Sequence, residues 1–269
     1  MSDRPARGTV PSVLWKAFDV LGAFSHKRRV LTLAEIARDS GLPKSTAHRV
    51  LAMLVEVGAV EQVPGGYQVG LRMFSLGVLP PGAALREAAL PHLEELHRVT
   101  GQTLHLAILR GADVVYLEKL LPRGNRFITP SAIGDRMPAT CTGIGKAMLA
   151  FGSEEEVAGA LSAPLRRRTA NSLRSPEQVR RELDAIRDRG YAFDREEAAE
   201  GLACVAVPVP VPSPLRVTLP VTLPVIGGPT AMAAISVSFP ARSGTGQALA
   251  TPLRAAAAAI SRSPALRPH

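Results

Sequence analysis

Between Leu31 and Gly70 the apolar residues change period several times. Residues 33–39 carry them at helical spacing and stop at Ser40-Gly41, where glycine supplies a helix C-terminal stop. Pro43 opens the next segment at a first-turn position that proline tolerates. Apolar residues then recur at 47, 50, 51, 54 and 55 until Gly58. Residues 60–63 and 67–69 read as short strands around Pro64-Gly65-Gly66, a hairpin turn. Upstream, apolar positions 13, 14, 17, 18, 20, 21 and 24 predict an amphipathic helix, followed by a basic loop at 26–29. The order helix, helix, turn, helix, hairpin is that of a winged helix-turn-helix, which lays one helix in the DNA major groove.

Beyond Leu71 a linker is expected, because Pro80-Pro81-Gly82 breaks a helix. Apolar residues at 85, 89, 93 and 96 predict a helix over 85–99. Residues 103–109 and 114–120 read as strands around the turn 110–113. Residues 143–151, 153–161, 176–189 and 248–261 read as helices, and 202–211 and 232–239 as strands. Strands bracketed by helices predict an α+β domain of a sensor type. The expected organisation is a DNA-binding domain at 1–75 with a disordered arm at 1–11, a linker at 76–90 and an effector-type domain at 91–269.

Composition narrows this picture only partly. The net charge of +9 and pI near 10.3 suit a polyanionic partner. Residues 1–75 hold ten Lys/Arg against six Asp/Glu, less than half of the excess, so basicity alone does not locate a DNA site. The two cysteines, Cys141 and Cys204, lie far apart and fit a reduced cytoplasmic protein better than a disulfide scaffold. Residues 1–12 are polar, broken by Pro5 and Pro11, and resemble no signal peptide. No stretch reaches the roughly 18 apolar residues of a membrane span. No metal-ligand spacing and no cofactor motif stand out. CTGIGKA at 141–147 fails the phosphate-loop pattern, with Thr140 in place of the first glycine and Ala147 in place of Ser/Thr.

Opposite the inward stripe of the second helix-turn-helix helix stand Lys44, Ser45, His48, Arg49 and Ala52. Lys44 and Arg49 can meet phosphates or guanine, while Ser45, Thr46 and His48 can hydrogen-bond to phosphates or bases. Gly65 and Gly66 would let the wing approach the sugar-phosphate backbone.

This segment resembles the N-terminal domain of the isocitrate lyase regulator (IclR) family of bacterial transcription factors. The resemblance continues through TGQTLHLAILRGADVVYLEKL (100–120), IGDRMPATCTGIGKAMLAF (133–151), RGYAFDREEAAEGLACVAVPV (189–209) and AAISVSFP (233–240). It implies a GAF-like effector-binding domain that senses a small organic acid or aromatic metabolite. It also implies homodimers or homotetramers on palindromic double-stranded operators, acting as a repressor or dual regulator. Carried over by position, the effector site comprises Gly143 and Ile144, where helix-start N–H groups of Gly143 and Gly145 face an anion. Asp194, Leu202, Cys204, Ser236 and Ser238 complete it. The chain departs from the family in the Pro-Pro-Gly linker and in a Pro-rich insertion at about 210–224, whose prolines oppose regular paired strand.

Two alternatives stay open at the level of sequence. One is an architectural DNA-binding protein without an effector. The other is a hydrolase with Cys141 or Cys204 as nucleophile and His105 as base, although no third orienting group is visible. His105, in a strand, reads more readily as a structural histidine. No catalytic residue is therefore expected.

Overall fold

A computed structural model describes residues 12–79, 81–122, 124, 129–211, 233–244 and 246–266. In it the chain divides between Pro80 and Pro81 into two units. The arm at 1–11 and positions 212–224 of the Pro-rich insertion lie outside the described residues.

In the first unit, α1 (Val13–Leu21) starts at the Ser12 cap. α2 (Leu33–Ser40) starts in a reciprocal capping box, with the Thr32 hydroxyl accepting from the Glu35 N–H while the Glu35 carboxylate accepts from the Thr32 N–H. Gly41, at φ 68°, ends it in the left-handed conformation. α3 (Lys44–Glu56) follows after the three residues Gly41, Leu42 and Pro43, with Pro43 at its N-cap rather than inside its first turn. Ala47, Val50, Leu51 and Leu54 of α3 are buried against Val20, Leu31, Ile36 and Val60. Val55, which the spacing assigns to the same stripe, is exposed.

The wing is β1 (Val60–Val63) paired with β2 (Gly66–Val69), with Val63 opposite Gly66. Its turn is thus Pro64-Gly65 alone, with Gly65 at φ 92°, as a type II turn requires at its second central position. Leu31 and Tyr67 exchange backbone hydrogen bonds of 2.9 and 2.8 Å, which clamps the hairpin onto the helices. A Cβ on Gly66 would fall 2.2 Å from the Leu31 carbonyl oxygen. Gly66→Ala is expected to lower the stability of this unit by about 1–3 kcal/mol, because the clamp must open to admit the methyl group. Thermal melts check this, and a variant with wild-type melting temperature would contradict it.

The stretch expected as linker is largely helical. α4 (Leu71–Gly77) follows the wing, and α5 (Pro81–Thr100) begins at the second proline of Pro-Pro-Gly. Proline suits a helix start, since its missing N–H would have no partner there.

The second unit is built on a six-stranded antiparallel sheet. Its strands are β3 (Thr103–Arg110), β4 (Asp113–Leu120), β5 (Arg136–Pro138), β6 (Ala192–Arg195), β7 (Leu202–Val209) and β8 (Ala233–Pro240), ordered β5-β4-β3-β8-β7-β6. The Pro-rich insertion therefore joins two directly paired strands, Val209 lying opposite Ala233. Strand side chains alternate between faces. One face presents Leu104, Leu106, Val205, Val207, Ile235 and Val237 to α5 and to α9 (Ala250–Ser261). The other presents small residues, Ala107, Ala206 and Ala234, to α6 (Gly143–Phe151), with α8 (Pro176–Arg189) packed on α6. α7 (Glu154–Leu161) joins the same layer.

Polar residues interrupt that second face. Asp194 stands opposite Cys204, Cys204 opposite Ser238, Ser236 opposite His105, and His105 opposite Lys119. Register thus converts scattered sequence positions into one polar band across five strands.

Candidate functional site

Lys44, Ser45, His48 and Arg49 are exposed together on α3, and Thr46 is half-buried. Pro43 offers α3 no side-chain cap. The first-turn N–H groups, which have no partners within a helix, are therefore left for water or an anion beside Lys44. At the wing tip Gly65 has open space where a side chain would stand, whereas Gly66 is occupied by Leu31. The need for glycine at 66 is therefore internal, and Gly65 is the residue free to approach a backbone.

In the second unit α6 begins against the polar band. The Thr142 hydroxyl accepts from the Gly145 N–H at 3.2 Å. A Cβ at Gly143 would lie 2.6 Å from Cys204 Sγ, and one at Gly145 would lie 2.3 Å from the Ala139 carbonyl oxygen. Both glycines serve close approach. The Gly145 N–H is taken up by the cap, which corrects the expectation that Gly143 and Gly145 both present N–H groups to an anion.

Gly143, Ile144, Asp194, Leu202, Cys204, Ser236 and Ser238 all line one cleft. His105, Tyr116, Thr129, Ser131, Met137, Thr142 and Ala198 also line it and were not assigned to a site from sequence. Their signal was weak because the chain reaches the cleft through a long loop after β4 and through a strand whose inward residues look like core. Among the described residues no lysine or arginine lines it.

Burial, reinforced by the neighbouring Glu197 charge and opposed by Lys146, raises the Asp194 carboxyl to about 7. Its Oδ1 accepts from the Glu197 N–H at 2.7 Å. Burial, with the Lys119 charge adding to it, lowers His105 to about 3, so its imidazole is neutral near pH 7. The two ring nitrogens meet the Ser131 hydroxyl at 3.0 Å and the Ser238 hydroxyl at 3.5 Å. Lys146, on α6, turns away from any phosphate role. It donates to Glu197 at 2.6 Å and to the Phe193 carbonyl at 2.9 Å, with Glu182 at 3.4 Å.

The Asp194 shift has a stability consequence. In the unfolded chain the carboxyl loses its proton near 3.8, and in the fold near 7. Between those values the native state binds more protons, so stability falls as pH rises through this window and levels off above it. Asp194→Asn is expected to flatten that slope in urea unfolding between pH 4.5 and 8. An unchanged slope would refute the assignment.

The chain matches two family models, the IclR helix-turn-helix domain over residues 13–64 and the bacterial transcriptional regulator IclR C-terminal domain over residues 82–213. It is 37% identical over 198 residues to the HTH-type transcriptional regulator XynR of Escherichia coli K12, covering 72% of this chain and 78% of that one. This chain belongs to the IclR family of transcriptional regulators. It is also 34% identical to the transcriptional repressor IclR of E. coli K12, over 75% of each chain. Among solved structures, an IclR homologue from Microbacterium hydrocarbonoxydans complexed with 4-hydroxybenzoate superposes with a TM-score of 0.79 at 27% identity. That match covers 93% of this chain and 98% of the other. Thermotoga maritima IclR gives 0.68 at 29% identity, covering 93% and 97%.

As an IclR-family member the protein is a DNA-binding transcriptional regulator and not an enzyme. The hydrolase alternative fails on chemistry too. Burial raises the Cys141 thiol to about 12 and Cys204 well above its ordinary range, so neither supplies a thiolate. His105 bonds to two serines rather than to either sulfur. Among the described residues no helix is long and apolar enough to cross a membrane, and no cluster of His, Cys, Asp or Glu could hold a metal ion.

Proposed function

We propose that the protein is a cytoplasmic, ligand-responsive regulator, a repressor or dual regulator of a catabolic or metabolic operon. It senses a small organic acid in the cleft below α6. The observation that carries this reading is the convergence of seven residues from β6, β7, β8 and the start of α6 on one cleft. The protonated Asp194 donates to the acid's carboxylate. Lys44, Ser45, Thr46, His48 and Arg49 meet the operator, and Gly65 brings the wing to the backbone.

Two chains bind a palindromic operator, either as a dimer or as a pair of dimers. Leu14 and Phe18, one turn apart on α1 and 68% exposed each, support association through this helix. The acid shifts the populations of dimer geometries by the difference in its affinity for them.

Two measurements test the reading. Footprinting of the promoter beside its own gene should show protection at physiological salt that a small acid alters. The same acid at a hundred times its Kd should stabilise the protein by about 2.7 kcal/mol. Protection that no acid alters, or absence of protection, would overturn the proposal.

A further inference from the structure

Two buried oxygens on the cleft wall lack the partners that buried polar groups ordinarily have. The Thr129 hydroxyl has none among the described residues. The Tyr116 hydroxyl has only the Met137 sulfur, at 3.9 Å, a weak acceptor. Thr129 is 3% and Tyr116 6% exposed, and both line the cleft. Neither position is left to chance. Lys119 Nζ donates to the carbonyls of Thr129 and Ser131, which ties that segment to the sheet. The Tyr116 backbone exchanges hydrogen bonds with Gly134 and Asp135 on the far side of the same loop. The Tyr116 ring also packs on His105, with centroids 5.2 Å apart. Of the other hydroxyls nearby, Ser131 and Ser238 are held by His105, and Thr142 by its cap.

We propose that this wall selects for a hydroxyl: the cleft takes small acids that carry at least one hydroxyl besides the carboxylate, and Tyr116 and Thr129 bind it. A hydroxyl both donates and accepts, so it can pair with either orphaned oxygen. A second carboxylate is disfavoured, because no lysine or arginine among the described residues lines the cleft and Asp194 already lies there. The inference rests on the sensor reading above and adds the ligand class. The hydroxyl can be borne on a ring or on a chain.

Isothermal titration of the full-length protein distinguishes these sources. The ring pair is 4-hydroxybenzoate against benzoate, with terephthalate as the dicarboxylate. The chain pair is arabinonate against valerate. In at least one pair the hydroxylated acid should bind tenfold or more tighter than its partner, and terephthalate should bind more weakly than 4-hydroxybenzoate. Tyr116→Phe with Thr129→Val should bring that ratio to within about threefold. A cooperative thermal melt at the wild-type midpoint reports that the variant is folded. A ratio near one in both pairs of the wild type overturns the inference and leaves the sensor reading standing. So does a ratio that survives the double substitution, or terephthalate binding as tightly as 4-hydroxybenzoate. Failure of all five acids to bind wild-type protein overturns the sensor reading, and the inference with it.

Discussion

Arg49→Ala leaves the first unit folded and removes specific operator binding. The side chain is exposed on the face of α3 opposite Val50, Leu51 and Leu54, so its loss leaves that core intact. A base-edge contact by arginine contributes about 1–3 kcal/mol of discrimination. Two copies on a palindrome double this to roughly 2–6 kcal/mol, a loss of about thirtyfold to twenty-thousandfold. Binding to random DNA should fall far less, because Lys44 and the other surface cations still neutralise phosphates. Electrophoretic mobility shifts at two salt concentrations separate the roles. Loss of specificity at constant salt slope marks a base contact, and a shallower slope marks a phosphate contact. Unchanged operator affinity at a wild-type melting temperature would remove α3 from the DNA interface.

The first unit was legible in the sequence because its signals are local. Gly41, Pro43, Gly58 and the Pro-Gly turn each act within a few residues, and the helix period shows which face is buried. What local pattern could not show was that Gly66 answers to Leu31, more than thirty residues away. Nor could it show that Leu14 and Phe18, with ordinary core character, stay exposed. In the second unit the long strands were legible, and β5 and β6, of three and four residues, were not. They are held by their neighbours rather than by their own composition. The stretch after Leu71 read as linker because Pro-Pro-Gly looks like a break, yet the same residues start α5.

The cleft shows the same division. Its assigned residues came from a family resemblance, and the strand spacing of Ser236 and Ser238 placed both on one face. His105, Tyr116 and Thr129 joined them only through register and through a loop folded back over the sheet. A buried histidine surrounded by leucines looks structural until its cross-strand neighbour is known to be a serine beside a cavity.

Lys146→Met is expected to destabilise the second unit by about 3–5 kcal/mol, the usual result of leaving buried charge without its partner. Lys146 is 1% exposed and holds Glu197, itself 7% exposed, at 2.6 Å. Methionine fills the volume but leaves the buried Glu197 carboxyl without its partner, and Glu182 keeps Arg189. Because each unit has its own core, the loss should appear in far-UV circular dichroism during urea unfolding. The fluorescence transition of Trp15, the sole tryptophan, should stay near its wild-type midpoint. Adding Glu197→Gln should recover most of the stability, since it removes the stranded charge rather than restoring a bond. A single variant within about 1 kcal/mol of wild type would show that the pair is not buried as described. The same substitution bears on ligand sensing. Lys146 is the cation that holds the Asp194 carboxyl down against burial and the Glu197 charge. In the double variant both nearby charges are gone, and burial is opposed by the backbone hydrogen bonds from residues 197 and 198. Its carboxyl then stays raised, and the cleft keeps its preference for binding acids at or below neutral pH.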